Sequence, residues 1–483
     1  MGIRNGESYI ESLKDNRKVF INGDLVRDVT EYQGFTGIIR TIADLYDAQF
    51  KPEYADVMTH ICEETGERVC RNYFPAKTLE EMQQRLKCDH LRADLTFGVM
   101  GRLTDFMSAW LTDSVASFEF SGATEAAERS RKYWRHVRDN DLCLTHALID
   151  PQSDRSRSVT PAEAVRIVER RHNGIVVSGA RLLSTLAPVA NEVYIGPYMP
   201  RRPDESDKAV IFGLPMNAEG LKIVCRESYD KGRSHRDRPF SSRFDEGDAI
   251  LIFDNVFVPN ERLIVAGDVD VYNSCMPNFP GYVMMQAVTR SAAKLRVLTG
   301  VASLAAKATG RNKADRYREM LGEMVTLVNI GEGLQDATAL EICRQIEAQS
   351  RGEALWSSDQ PGEFQCLPKV SNSSIVTFFP YAAKKCFENL QAIAGSGALI
   401  FSEADMNREE ISSLIGQYVI GADMSAEERF GIMKLVWDIT GEQFGSRQSL
   451  YERYYSGDPI KNMIGYSFYP KLEEAESMAR RLL

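Results

Sequence analysis

The interval at which apolar residues recur changes twice along this chain, and that change constrains the fold more than any other feature. From Gly6 to about Leu144 the spacing is mostly helical. Ser8-Tyr-Ile-Glu-Ser-Leu opens a capped amphipathic segment, Leu79 to Leu86 keeps one buried face, and Ala126 to Leu142 is a charged, arginine-rich helix. From about Arg166 to Ile264 the period shortens to that of strands. The runs Gly174–Leu183, Glu192–Ile195, Ala209–Leu214, Leu221–Cys225 and Ala249–Phe253 are β-branched and separated by Gly, Pro, Asn and Asp clusters. Such regular spacing predicts a small antiparallel barrel or sandwich. From about Pro280 the helical period returns in two long segments, Met284–Lys307 and Arg316–Gln349, which predicts a bundle. The reading is an α+β chain in three parts: an N-terminal helical domain (residues 1–145), a central antiparallel β-barrel (146–272) and a C-terminal helical bundle (273–483).

A net charge of −10 argues against nucleic acid, whose phosphates require concentrated Lys and Arg. The arginine-rich stretches Arg129–Arg138 and Lys231–Arg238 are interspersed with other residue types, as solvated or interface faces are. The nine cysteines are scattered, with no Cys-x-x-Cys and no Cys/His cluster at metal spacing, so reduced thiols and no metal are expected. No apolar run approaches the roughly twenty residues of a membrane span. Gly6 stands where a myristoylation signal needs Ser or Thr. A soluble cytoplasmic protein is expected.

Two segments stand out chemically. Gly101-Arg-Leu-Thr-Asp-Phe supplies a permanent cation, Arg102, whose planar fork suits carboxylate or phenolate oxygens. Thr145-His-Ala-Leu-Ile-Asp-Pro-Gln-Ser-Asp-Arg supplies His146 and a loop dense in hydrogen-bonding side chains. Structural roles stay open for both: Arg102 paired with Asp105, His146 as a core histidine. Ser184 and Thr185 fall at a strand end, and Phe444–Arg453 is a polar break leading into a helix whose amides suit a nucleotide phosphate. Ala394–Leu399 is glycine-rich but follows no strand, so a dinucleotide fingerprint is not supported.

In order and spacing, these two segments together with Gly174-Ile-Val-Val-Ser-Gly-Ala-Arg, Phe253-Asp-Asn-Val-Phe-Val-Pro and Gly445-Ser-Arg-Gln resemble one family nearly end to end. It is the oxygenase components of two-component flavin-dependent phenol hydroxylases, typified by 4-hydroxyphenylacetate 3-monooxygenase. The order helix, barrel, bundle is that of acyl-CoA dehydrogenase-like flavoproteins. The resemblance implies ortho-hydroxylation of a para-substituted phenol to a catechol by FADH2 and O2 through a flavin hydroperoxide. It also implies a separate NAD(P)H-dependent flavin reductase and a homotetramer. Arg102 and His146 would hold the phenol oxygen, Arg102 stabilising phenolate and His146 accepting the proton. His146, Ala147, Leu148, Gln152, Ser153, Asp154, Arg155, Leu183, Ser184, Thr185, Gly445, Ser446, Arg447 and Gln448 would contact FAD.

Two departures bear on the substrate. The family often has tyrosine where this chain has Phe106, and small hydroxyl residues where it has Tyr198 and Met199. Both alter the expected substrate-binding wall and point away from 4-hydroxyphenylacetate, toward a halophenol, a nitrophenol, or a free or carrier-bound tyrosine-derived phenol. A 4-hydroxybutyryl-CoA dehydratase would need thiolates for its iron–sulfur cluster. Residues 92–111 contain no cysteine, and 286–301 neither cysteine nor histidine. A non-catalytic flavin-binding scaffold is the remaining reading.

Overall fold

The computed structural model describes residues 2–151, 163–353, 370–467 and 470–483. Among the described residues there are twelve strands: β1 (Val19–Ile21), β2 (Asp24–Val26), β3 (Thr59–Ile61), β4 (Arg68–Cys70), β5 (Leu144–Ala147), β6 (Arg166–Arg171), β7 (Gly174–Thr185), β8 (Glu192–Ile195), β9 (Val210–Pro215), β10 (Leu221–Cys225), β11 (Asp248–Pro259) and β12 (Leu263–Ala266). They form a six-stranded sheet in the order β2-β1-β10-β11-β7-β6, a four-stranded sheet in the order β12-β9-β8-β5, and the hairpin β3-β4. Period-two alternation decides which face is buried. In β11, Ala249, Leu251 and Phe253 point into the core while Ile250 and Ile252 remain exposed. Phe253 meets Phe212 of β9 edge-on, with ring centroids 6.2 Å apart, so the two sheets share a core.

The expected closed antiparallel barrel is not what forms. Among the described residues there are two larger sheets besides the β3-β4 hairpin and no closed barrel, and two pairings, β1 with β10 and β5 with β8, are parallel. Parallel neighbours cannot be joined by a hairpin, so each brings together chain segments far apart in sequence, which a local period does not report. Where β5 passes β7, side chains and a single bridge, Ile149 with Leu182, make the seam instead of a ladder.

The N-terminal segment also departs from its mostly helical reading, because β1 and β2 form a hairpin there. Asn22 and Gly23 turn it with positive φ angles of 54° and 88°. That Asn-Gly pair between apolar runs is the usual two-residue hairpin signal.

The chain divides into two compact units, one comprising Met1–Gln286 with Ile342–Leu355, the other Ala287–Glu341 with Trp356–Leu483. The three-part division expected from the sequence, at residues 145 and 272, is a different partition, and β1 and β2 from its first part join the six-stranded sheet.

In the first unit the helix Thr104–Phe120 is buried on every side over its first three turns, from Thr104 to Ser114. Near its middle, the Asp113 carboxylate accepts the backbone N–H groups of Gly281, Tyr282 and Val283 at 2.8, 3.0 and 2.9 Å. It thereby caps the start of the helix Tyr282–Ala308, whose first amides have no partner within the helix.

The second unit is helical. Its core includes an ion cluster in which Glu452 pairs with Arg290 and, at 2.7 Å, with Lys294. All three side chains are at most 4 % exposed. Burial opposes the charge on Glu452, but Arg290 and Lys294 hold its carboxyl far below the usual carboxylate range. No helix of the described residues is long and apolar enough to cross a membrane.

Candidate active site

Arg102 precedes the helix Thr104–Phe120 in a tight segment held from outside. The backbone N–H groups of Gly101 and Arg102 both donate to Oε1 of Glu246, at 2.9 and 3.1 Å. The Arg102 guanidinium turns back over the Phe106 ring, 4.2 Å from its centroid. Asp105 does not take the guanidinium. Its oxygens accept the N–H of Phe106 at 2.8 Å and the side-chain amide of Gln286 at 3.1 Å.

A row of aromatic rings follows. Phe106 lies 6.0 Å from Trp110 and 5.4 Å from His146, and Phe279 meets Trp110 edge-on at 5.2 Å. Phe106, Trp110 and Phe279 are all buried, so this wall is apolar apart from Arg102, His146 and the partnerless indole N–H of Trp110.

His146 is carried by β5 and fixed through its main chain, whose carbonyl accepts the Ser184 hydroxyl at 3.0 Å. The ring is only 7 % exposed, yet neither Nδ1 nor Nε2 has a hydrogen-bond partner. A neutral imidazole carries one donor and one acceptor, and leaving both unused in a buried place is costly unless a ligand takes them. Burial first, and then the Arg102 charge, push the His146 pKa well below its ordinary value. The ring is therefore neutral at physiological pH, with a lone pair available beside a fixed cation.

Family models for the N- and C-terminal parts of 4-hydroxyphenylacetate 3-hydroxylase match residues 5–265 and 273–483. The chain belongs to the 4-hydroxyphenylacetate 3-hydroxylase family. It is 34% identical over 465 residues to the 4-hydroxyphenylacetate 3-monooxygenase oxygenase component of Thermus thermophilus, covering 95% of this chain and 92% of that one. It is 30% identical to the oxygenase component of 4-nitrophenol 2-monooxygenase from a Rhodococcus species, covering 94% and 86%. A solved structure of a 4-hydroxyphenylacetate 3-monooxygenase oxygenase component, complexed with FAD and 4-hydroxyphenylacetate, superposes with a TM-score of 0.88 at 33% identity, over 99% of this chain and 98% of that one. Glutaryl-coenzyme A dehydrogenase, at 10% identity and a TM-score of 0.52, shares the fold alone, which confirms the acyl-CoA dehydrogenase-like architecture.

The residues that family resemblance marks for FAD are distributed unevenly. Ala147 and Leu148 are buried directly after His146. The Leu148 carbonyl accepts from Arg181 at 2.8 Å, and Asp150 bridges Arg181 and Arg201 at 2.6 and 2.7 Å. Arg181 is fully buried, and its Nε and Nη2 have no partner. Leu183 sits in a bulge of β7 with φ +56° and is 60 % exposed. The Ser184 hydroxyl donates to His146 and that of Thr185 to Asp248 at 3.0 Å, so both are engaged by the protein. Gln152, Ser153, Asp154 and Arg155 lie outside the described residues.

Tyr198 is partly buried and Met199 is 43 % exposed, in a loop fixed downstream by Arg201, which exchanges hydrogen bonds with Asn273 at 2.8 and 2.9 Å. Gly445, Ser446, Arg447 and Gln448 belong to the second unit, early in the helix Gln443–Tyr454. A side chain on Gly445 would come within 2.5 Å of the Ile439 carbonyl, so packing alone requires glycine there. Ser446 is exposed, Arg447 lies over Tyr451 at 4.3 Å, and the Gln448 side chain accepts from Lys294.

Sequence reasoning missed Glu246, Trp110 and Phe279. The two rings are reached only by packing, and Glu246 carries no motif at all.

Proposed function

We propose that this chain is the oxygenase component of a two-component flavin-dependent monooxygenase that hydroxylates a para-substituted phenol ortho to its hydroxyl group. The observation that carries the reading is His146, buried and neutral with two unpartnered ring nitrogens beside the Arg102 cation. Reduced FAD fits the same region: the unpartnered His146 nitrogens and the free N–H groups of the fully buried Arg181 are donors and acceptors awaiting a polar ligand. Ala147, Leu148, Leu183, Ser184 and Thr185 would hold it in the first unit, Ser184 and Thr185 chiefly through their main chains. When bound and reduced, FAD supplies the electrophilic oxygen, drawn from O2.

The protein residues position and polarise the phenol. Its hydroxyl donates to the ring nitrogen of His146 that holds the lone pair, and Arg102 stabilises negative charge developing on the oxygen. Full transfer to His146 would place an imidazolium beside a guanidinium. The proton therefore moves as negative charge develops on the phenol oxygen between the two cations, which ties deprotonation to attack by the ring. Phe106, Trp110 and Phe279 form an apolar wall that excludes water and orients the aromatic substrate.

Phe106 supports a second substrate reading, a nitrophenol, halophenol or tyrosine-derived phenol in place of 4-hydroxyphenylacetate. An all-carbon ring at that position offers no hydrogen bond to the substrate. A separate NAD(P)H-dependent reductase, a cytoplasmic location and a homotetramer assembled through the C-terminal helices complete the proposal. The deciding experiment incubates a panel of para-substituted phenols with reduced FAD and O2 and identifies products by mass. A gain of one oxygen atom on at least one phenol is expected, and no oxygenated product from any would overturn it.

A further inference from the structure

One buried carboxylate connects the segment bearing Arg102 to the strand end that holds His146. Oε1 of Glu246 accepts from the successive backbone amides of Gly101 and Arg102, and the residue is 1 % exposed. The main chain of Glu246 works in the opposite direction. Its carbonyl, at 3.1 Å, shares the N–H of Leu186 with the neighbouring Gly247 carbonyl at 2.9 Å, and Leu186 holds a left-handed backbone with φ +68°. Immediately before Leu186, the Ser184 hydroxyl donates to the His146 carbonyl and the Thr185 carbonyl accepts from the Thr145 hydroxyl. Side chain and backbone of one residue thus reach both halves of the site.

We propose that Glu246 is a positioning residue that sets the separation of Arg102 from His146, and with it the seat of the phenol oxygen. The inference rests on the reading of Arg102 and His146 as the pair that binds that oxygen. A carboxyl group suits this task because one of its oxygens has lone pairs for both amides at once. Two bonds from adjacent amides to one oxygen also fix the direction of the segment, where a single bond would leave it free to swing. A shift of about 1 Å in a reacting group can cost on the order of a hundredfold in rate, so a residue that never meets the substrate can control its conversion.

The test uses the full-length protein with reduced FAD, O2 and a phenol that the parent hydroxylates. Catechol and H2O2 formed per flavin oxidised are measured with KM, kcat and thermal midpoint for Glu246→Ala, Glu246→Gln, Glu246→Asp and Arg102→Ala. Glu246→Ala is expected to lower the catechol fraction about tenfold and raise KM, while flavin reoxidation by O2 stays within about twofold of the parent. Glu246→Gln keeps one carbonyl oxygen at the same reach and is expected to recover most of the catechol fraction. If the alanine variant does not fold, Glu246→Asp decides: its shorter arm is expected to depress the catechol fraction at a near-parental thermal midpoint. Parental coupling in a folded Glu246→Ala or Glu246→Asp protein, with Arg102→Ala inactive, overturns the role of Glu246 and leaves the reading of Arg102 standing. Parental coupling in Arg102→Ala overturns that reading itself.

Discussion

Arg102, just before the helix Thr104–Phe120, folds back on Phe106 in its first turn, and its guanidinium lies 4.2 Å from that ring's centroid. The same ring faces His146 at 5.4 Å. Phe106 therefore touches both polar groups assigned to the phenol oxygen, and a change in its chemistry reaches both without removing either.

Phe106→Tyr tests that relationship. The added hydroxyl would enter a buried wall beside two hydrogen-bonding groups and contribute on the order of 1 kcal/mol to holding a substrate. Coupling with 4-hydroxyphenylacetate, measured as catechol against H2O2, is expected to rise severalfold. Unchanged ratios across several phenols would show that this position only packs.

Loss of Arg102 or His146 should separate binding from chemistry. Arg102→Ala and His146→Ala are each expected to lower the hydroxylation rate by roughly 10²–10³, the usual effect of removing one stabilising group from a developing oxyanion. Both variants should still bind reduced flavin and react with O2, which stopped-flow absorbance follows. Hydroxylation at near-parental rate in either would remove that residue from the mechanism.

The pH dependence of stability should carry a signature of His146. Its folded pKa is lowered, so as pH falls below about 6.5 the unfolded chain takes the proton first and the native state loses stability. The loss amounts to about 1.4 kcal/mol per pH unit until the folded pKa is reached. Thermal midpoints from pH 8 to pH 5 should therefore fall more steeply for the parent than for His146→Asn. Parallel curves would mean that the ring is not held neutral.

Much of the secondary structure was legible, because it is local. Glu192–Ile195 and Leu221–Cys225 are strands with the expected bounds, and the helices Tyr282–Ala308 and Asp315–Ser350 enclose the two expected long segments. Partner choice was not legible. Nothing near Leu144 says that it will lie parallel to Glu192, and nothing near Val19 names Ile223. The site divides the same way: Arg102 and His146 stand out by residue type, whereas Glu246 is marked by nothing but its bonds, among them those to a segment about 145 residues away. Even Ser184 and Thr185, correctly placed at a strand end, have hydroxyls turned to protein partners that sequence could not identify.

The ion cluster of the second unit offers a stability test away from the chemistry. Glu452→Gln would leave Arg290 and Lys294 buried without a counter-charge, and breaking such a pair typically costs about 3–5 kcal/mol. Denaturant unfolding should show a loss of that size, and a loss below about 1 kcal/mol would mean that water or rearrangement compensates the cations.

The distance in sequence between Glu246 and the amides it holds has a consequence for the nascent chain. At roughly 5–20 residues per second, about 7–30 seconds separate synthesis of Gly101 from that of Glu246. For much of that interval the helix Thr104–Phe120, buried on all sides over its first three turns in the finished fold, has been made while the sheets that will enclose it are incomplete. Its rings, Phe106 and Trp110 among them, are then open to chaperones or to other unfinished chains. The same burial that keeps water from the finished pocket makes its oldest part the most exposed to misassembly during translation.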